Sequence, residues 1–199
     1  MPYSQFTIDV ISETFGFTIS ERIGIFTDVS AVHYSTLLAQ TLKEYIPLAV
    51  AIGTEKSRSE FIIAPILFEV KKQLLNRISL FSGKEFNVAP EQGLSGFCDF
   101  LISLSPEQLF IQAPVVTIVE AKNDNIQLGL GQCIAEMIAA KLFNERKENK
   151  IKIIYGVVTT GSIWKFMRLI EQRIEVDLDE YFIQDIGKIL GILRSFVDV

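Results

Sequence analysis

Residues 115–122, Val-Val-Thr-Ile-Val-Glu-Ala-Lys, set the tightest constraint in this 199-residue chain. A run of β-branched and apolar residues without polar alternation predicts a strand buried on both faces, and such a strand belongs inside a sheet covered by helices. It nevertheless finishes on two charges. Side chains two apart share a strand face, so Glu120 and Lys122 point one way and Ala121 the other. A carboxylate and an ammonium at the end of a core element cost free energy unless they are paired or liganded. The triplet is therefore either a structural ion pair or a working site.

The flanking pattern supplies neighbours for that strand. "EFNVAPE" (residues 85–91) reads as a short strand, and Gly93 and Gly96 frame the turn into a stronger one, "FCDFLISLS" (97–105). Beyond Lys122, Asp124 or Asn125 can cap a helix whose apolar face is Ile126, Leu130, Ile134, Met137, Ile138 and Leu142. "IKIIYGVVTT" then predicts another buried strand, "IWKFMRLI" with "RIEVDL" a hairpin, and residues 180–196 a terminal helix. Upstream, Val32, Leu37, Leu38, Leu42, Ile46 and Val50 predict a helix over about 30–52, bent at Pro47. Ile63, Leu67, Val70, Leu74 and Ile78 form the stripe of a second over about 54–80, kinked or restarted at Pro65. Residues 5–27, with Phe6, Ile8 and Val10 alternating ahead of Gly16 and Gly24, read as short strands or a hairpin.

The middle of the chain thus runs helix, three strands, helix, strand. An antiparallel meander followed by a right-handed crossover gives an α/β fold: a mixed β-sheet flanked by helices on both faces. The length suits a single domain over 1–199, with a core at about 55–160, an N-terminal extension at 1–54 and a C-terminal hairpin and helix at 161–199.

Composition narrows the chemistry. Apolar residues make up 49% and charged residues 22%, a globular balance on the hydrophobic side that suits a buried oligomer surface and predicts a homodimer. No apolar stretch approaches the roughly 18 residues of a membrane span, and "MPYSQFTIDVISE" is no signal peptide, so a cytoplasmic protein is expected. Cys98 and Cys133 form no CxxC pair and the single histidine, His33, is distant from both, which argues against zinc and against histidine-dependent catalysis. Both thiols read as core residues. Chemistry falls to carboxylates, lysine and a hard metal ion. The net charge of −5 is unevenly spread: residues 55–84 carry six basic against three acidic side chains, whereas 171–185 carry six acids against Arg173 alone. The basic edge can accept a polyanion; on charge alone both runs read first as ordinary solvated faces.

Three polar residues belong with Glu120 and Lys122. Asp99 lies between Phe97 and Leu101 on its strand face, a carboxylate among apolar neighbours. Glu60 continues the apolar stripe of its helix three residues before Ile63. Gln132 stands near the start of the crossover helix, among Gly129, Gly131, Cys133 and Ile134. Two or three carboxylates converging on a strand end suit Mg²⁺, with Mn²⁺ as a substitute, and a lysine beside one ligand can orient a water. Phosphodiester hydrolysis needs those parts. Other features read as structure: Trp164 and Phe166 as sheet core, Gly129 and Gly131 as close packing, His33 as filler and Glu69 as part of a solvated face.

The set resembles the PD-(D/E)XK nuclease superfamily, marked by an α-β-β-β-α-β core, an acid on the second core strand and Glu/Asp-x-Lys on the third. Asp99 in "GFCDF" and Glu120-Ala121-Lys122 match those positions, with twenty residues between the two acids. Glu60 in "SRSEF" matches the helix acid and Gln132 in "LGQCIAEM" the glutamine of the following helix. The proline that often precedes the first acid is Cys98 here. The resemblance spans about residues 55–160 and implies a restriction-endonuclease-like fold and Mg²⁺-dependent cleavage of DNA. Asp99, Glu120 and Glu60 would hold metal, Lys122 would act on the water, and Gln132 would position Lys122, the water or the nucleic acid. The alternative is a catalytically inactive module that keeps this fold for nucleic-acid binding or oligomerisation.

Overall fold

A computed structural model describes residues 2–75 and 77–197. In chain order the elements are α1 (Ile8–Phe15), β1 (Thr18–Arg22) and α2 (Thr36–Ile52), then α3 (Glu55–Arg58), which passes through a π-helical turn (Ser59–Ile63) into α4 (Ala64–Gln73). Next come β2 (Ser79–Glu85), β3 (Phe97–Ser103), β4 (Val115–Ala121), α5 (Gln127–Arg146), β5 (Ile153–Thr159), β6 (Ile163–Ile170), β7 (Arg173–Asp177), β8 (Tyr181–Phe182) and α6 (Ile186–Ser195).

Among the described residues the strands form one mixed eight-stranded sheet, ordered β1-β7-β6-β5-β4-β3-β2, with β8 on the end of β6. β4 and β5 run parallel across the α5 crossover, β1 runs parallel to β7, and the remaining pairs are antiparallel. Helices cover both faces. On one, α1 and α5 pack Ile11, Cys133, Ile134, Met137 and Ile138 onto Leu101, Ile118, Val158 and Leu169. On the other, α2, α4 and α6 pack Leu42, Ile66, Val70, Ile189 and Phe196 onto Phe100, Val119, Val157 and Phe166. Every residue of β4 is buried, as its unbroken apolar run requires.

Local sequence explains several boundaries. Ser35 accepts the Leu38 N–H and starts α2, five residues later than the apolar spacing suggests, and Pro47 is accommodated inside that helix. Thr54 and Ser57 form a capping box for α3. Pro65 stands at the first turn of α4, where its missing N–H costs least, and the chain enters that turn through the π-helical segment. Just ahead of α5, whose N-cap is Ile126, Asn125 Oδ1 accepts the Gln127 N–H at 2.9 Å. No helix is long and apolar enough to cross a membrane.

Four expectations need correction. Residues 8–15 form a helix, not a strand: Ile11, with Val10 and Phe15 partly buried around it, packs against α5, so the spacing of three to four outweighed the apparent alternation of Phe6, Ile8 and Val10. The strand expected at "EFNVAPE" lies earlier, at Ser79–Glu85, and most of that segment is loop closing on the Ala89–Leu94 bridge. The helix expected to reach residue 80 stops after Gln73, with Leu75 at φ 42°, so Ile78 lies beyond the helix and Leu80 belongs to β2. Glu69, expected on a solvated face, is buried. Its carboxylate accepts the Ser35 N–H and Oγ, each at 2.8 Å, and pins the start of α2 to α4. Trp164 and Phe166 are core, as expected, and both thiols are free and buried.

Candidate active site

The site forms where β3 and β4 part. Their ladder pairs Leu101 with Ile118 and Phe100 with Val119. The next pair in that register would be Asp99 and Glu120, but there the Asp99 side chain replaces the backbone: Oδ2 accepts the Ala121 N–H at 2.8 Å. β4 continues along β5, with Glu120 opposite Val158 and the Lys122 N–H donating to the Thr159 carbonyl at 2.8 Å. One strand thus peels away while its neighbour stays anchored, and the carboxyls of Asp99 and Glu120 come close enough to act on each other's charge.

Lys122 turns back on Glu120, with Nζ to Oε1 at 2.5 Å. Its second contact is Gln132 Oε1 at 3.4 Å, carried by the first turns of α5. The helix passes this close because residue 129 is glycine. A Cβ there would lie 2.6 Å from Val158 Cγ1 and 3.1 Å from both Cγ and Cε of Lys122. Gly131 has a similar role against Phe6 and Thr7, whose backbone a Cβ would strike. Both glycines serve close packing, as their sequence context suggested.

Burial and like charge set the electrostatics. Glu120 is 1% exposed, and its Oε2 has no hydrogen-bond partner. Burial, with Asp99 adding, pushes its carboxyl up to about 8 against the opposing pull of Lys122. Burial also raises Asp99. Burial alone would pull the Lys122 ammonium down, but the Glu120 carboxylate beside it wins and holds it up, so the lysine stays charged. Two facing carboxyls of this kind share a proton until a cation offsets their repulsion.

A cleft of about 250 Å³ opens over Asp99 and Ala121, walled by Glu55, Lys56, Ser59 and Glu60 from α3 and the π-turn, and by Ser82 and Gly83 of β2. A depression of about 280 Å³ at the far end of α5 is lined by Glu171 and by Glu145, the latter paired with Lys141.

The structure brings together Asp99, Glu120, Lys122 and Gln132 and sets Glu60 apart. Glu60 reaches the rim of the cleft but is half exposed and paired with Lys56 at 2.8 Å. The acid that feels the cluster is Glu55, one turn earlier. Burial raises its carboxyl, Asp99 raises it further and Lys122 opposes both. Sequence reasoning passed over Glu55 because it falls outside the apolar stripe and because an acid in the first turn after a threonine cap is ordinary. Glu136 was missed as well. It is fully buried one turn after Gln132 and accepts the Gln132 Nε2 at 3.1 Å.

Among the described residues no three His, Cys, Asp or Glu side chains gather as a ready-made metal cage. The donor set nevertheless fits a cation that keeps much of its water. Asp99 and Glu120 offer hard oxygens, one of them an orphaned buried carboxylate atom, and Glu55 stands near. No family model matches the chain, and no curated protein matches it either.

Proposed function

We propose that this protein is a Mg²⁺-dependent nuclease that hydrolyses phosphodiester bonds in DNA, on the pattern of the PD-(D/E)XK superfamily. The observation that carries the reading is the meeting of Asp99 and Glu120 at the open end of β3 and β4, with Lys122 bonded to Glu120 beside the cleft. Further support comes from the element order α3–α4, β2, β3, β4, α5, β5, which agrees with the core of that superfamily.

Asp99 and Glu120 would hold the cation, with Glu55 as the additional carboxylate in place of Glu60. When bound, the cation supplies Lewis acidity at the phosphoryl oxygens and eases deprotonation of water near neutral pH. The chain's own groups do the rest. Lys122, kept charged by Glu120, offers an ammonium to the attacking water and to charge developing on the phosphoryl group. Gln132 holds that ammonium from the helix side. Lys56, at the rim of the cleft and paired there with Glu60, is the cation placed to meet a substrate backbone.

The test is incubation of purified protein with plasmid and single-stranded DNA, with Mg²⁺ or Mn²⁺ and with EDTA. Cleavage is expected with metal and lost in EDTA and in Asp99→Asn. The competing account is a structural ion pair, favoured by the short Lys122–Glu120 contact. Lys122→Ala separates the two. A catalytic lysine loses cleavage while metal binding persists; a structural one loses about 3–5 kcal/mol of stability with cleavage unchanged.

A further inference from the structure

Behind the site lies a second buried carboxyl. Glu136 projects from the middle of α5 and is completely buried. Oε1 accepts the Gln132 Nε2, and Oε2 has no partner at hydrogen-bonding geometry. Cys98, Glu120, Asp99 and Tyr3 are its other polar neighbours. A buried polar oxygen left unpaired costs free energy, and an apolar residue of the same size would pack there without that cost. Burial, then the nearby Glu120, pushes the Glu136 carboxyl well above the usual carboxylate range.

We propose that Glu136 is a positioning residue that fixes the orientation of the Gln132 amide and through it the Lys122 ammonium. The proposal rests on the nuclease reading of the site. A glutamine amide has a donor end and an acceptor end, and only its acceptor end can meet an ammonium. With Nε2 committed to Glu136 at 3.1 Å, Oε1 is the atom that faces Lys122 Nζ at 3.4 Å. Without an acceptor at position 136 the amide can flip or swing away. Lys122 then keeps Glu120 but loses its support on the helix side.

Two substitutions separate positioning from mere filling. Glu136→Gln keeps an acceptor oxygen in the same volume, whereas Glu136→Met keeps the volume and removes the acceptor. Glu136→Met is expected to lower kcat for Mg²⁺-dependent plasmid cleavage by about 10–100-fold with KM little changed, while its melting temperature holds or rises. Glu136→Gln should restore cleavage to near the wild-type rate. Activity and stability moving in opposite directions is a pattern that a structural role does not produce. Cleavage by Glu136→Met at the wild-type rate overturns the proposal.

A second readout does not depend on cleavage. Gln132 bonds both Glu136 and Lys122, and Glu120 is a second neighbour of both, so with Glu120→Gln as the common background the melting-temperature changes of Glu136→Met and Lys122→Met should be non-additive with Gln132 present and additive in Gln132→Met. If the wild-type protein cuts no DNA, the nuclease reading fails and this cycle alone decides the positioning. Additivity in both backgrounds overturns it.

Discussion

Two acids on the same helical segment divide the roles that the sequence assigned to one. Glu60 leans on Lys56 and stays half in solvent, whereas Glu55 sits within the field of Asp99 and Lys122. Glu55→Gln should therefore weaken Mn²⁺ binding by about tenfold, and Glu60→Gln should leave it nearly unchanged. Isothermal titration of both variants checks this, and the reverse ranking would restore Glu60 to the site. Asp99, Glu120, Lys122 and Gln132 were legible because each breaks a local rule: three put charge inside or at the end of a buried strand, and one puts an amide in the apolar start of a helix. Glu55 breaks no such rule. It occupies the first turn of a capped helix, where acids are ordinary, and only the fold reveals what it faces. Glu136 was hidden for the opposite reason, since a helix with apolar residues on every side offers no face from which a buried acid stands out.

α5 holds the site at one end and the sheet at the other. Near its C-terminus the Asn144 side chain pairs with both the N–H and the carbonyl of Val115, at 2.8 and 2.7 Å, where β4 begins. Near its N-terminus Gly129 lets the helix touch Lys122, just past the end of β4. The strand is thus clamped lengthwise by one helix. Gly129→Ala tests the close end: an overpacking cost of about 1–3 kcal/mol against a helix-propensity gain of up to about 1 kcal/mol should lower the melting temperature. Because two of the three close contacts are with Lys122, cleavage should fall further than stability does. A variant that melts lower yet cleaves at the wild-type rate would place the strain on Val158 alone. At this scale the sequence was read well where elements are long and two-sided, as in β3, β4, α5 and β5. It was misread where a short amphipathic helix, Ile8–Phe15, imitates alternation, and where β2 carries Ser82, Gly83, Lys84 and Glu85, which make a poor strand signal but suit an exposed sheet edge.

For the whole molecule, the buried acids make stability depend on pH in a direction opposite to that of an ordinary salt-bridged carboxylate. Folded Glu120 keeps its proton up to about pH 8, whereas a free side chain releases it near 4.5. Between those values the folded state binds more protons than the unfolded one, so stability falls as pH rises through the window and the penalty is complete above it. Burial gives Asp99 and Glu55 contributions of the same sign. Metal-free protein should therefore melt lower at pH 9 than at pH 6, and the gain from millimolar Mg²⁺ should be larger at pH 9, where the cation meets ionised carboxylates. Glu120→Gln should flatten both trends; a slope that survives this change would belong to another group. The sheet also imposes an order in time. β1, near the start of the chain, has β7 as its partner, and Thr18 meets Arg173 across that ladder. As the chain leaves the ribosome, β1 has nothing to pair with until the long stretch up to β7 has followed it. The segment from α3 to β5 can already gather its own strands and crossover helix by then. The carboxylate pair would thus come together before the sheet that carries it is closed.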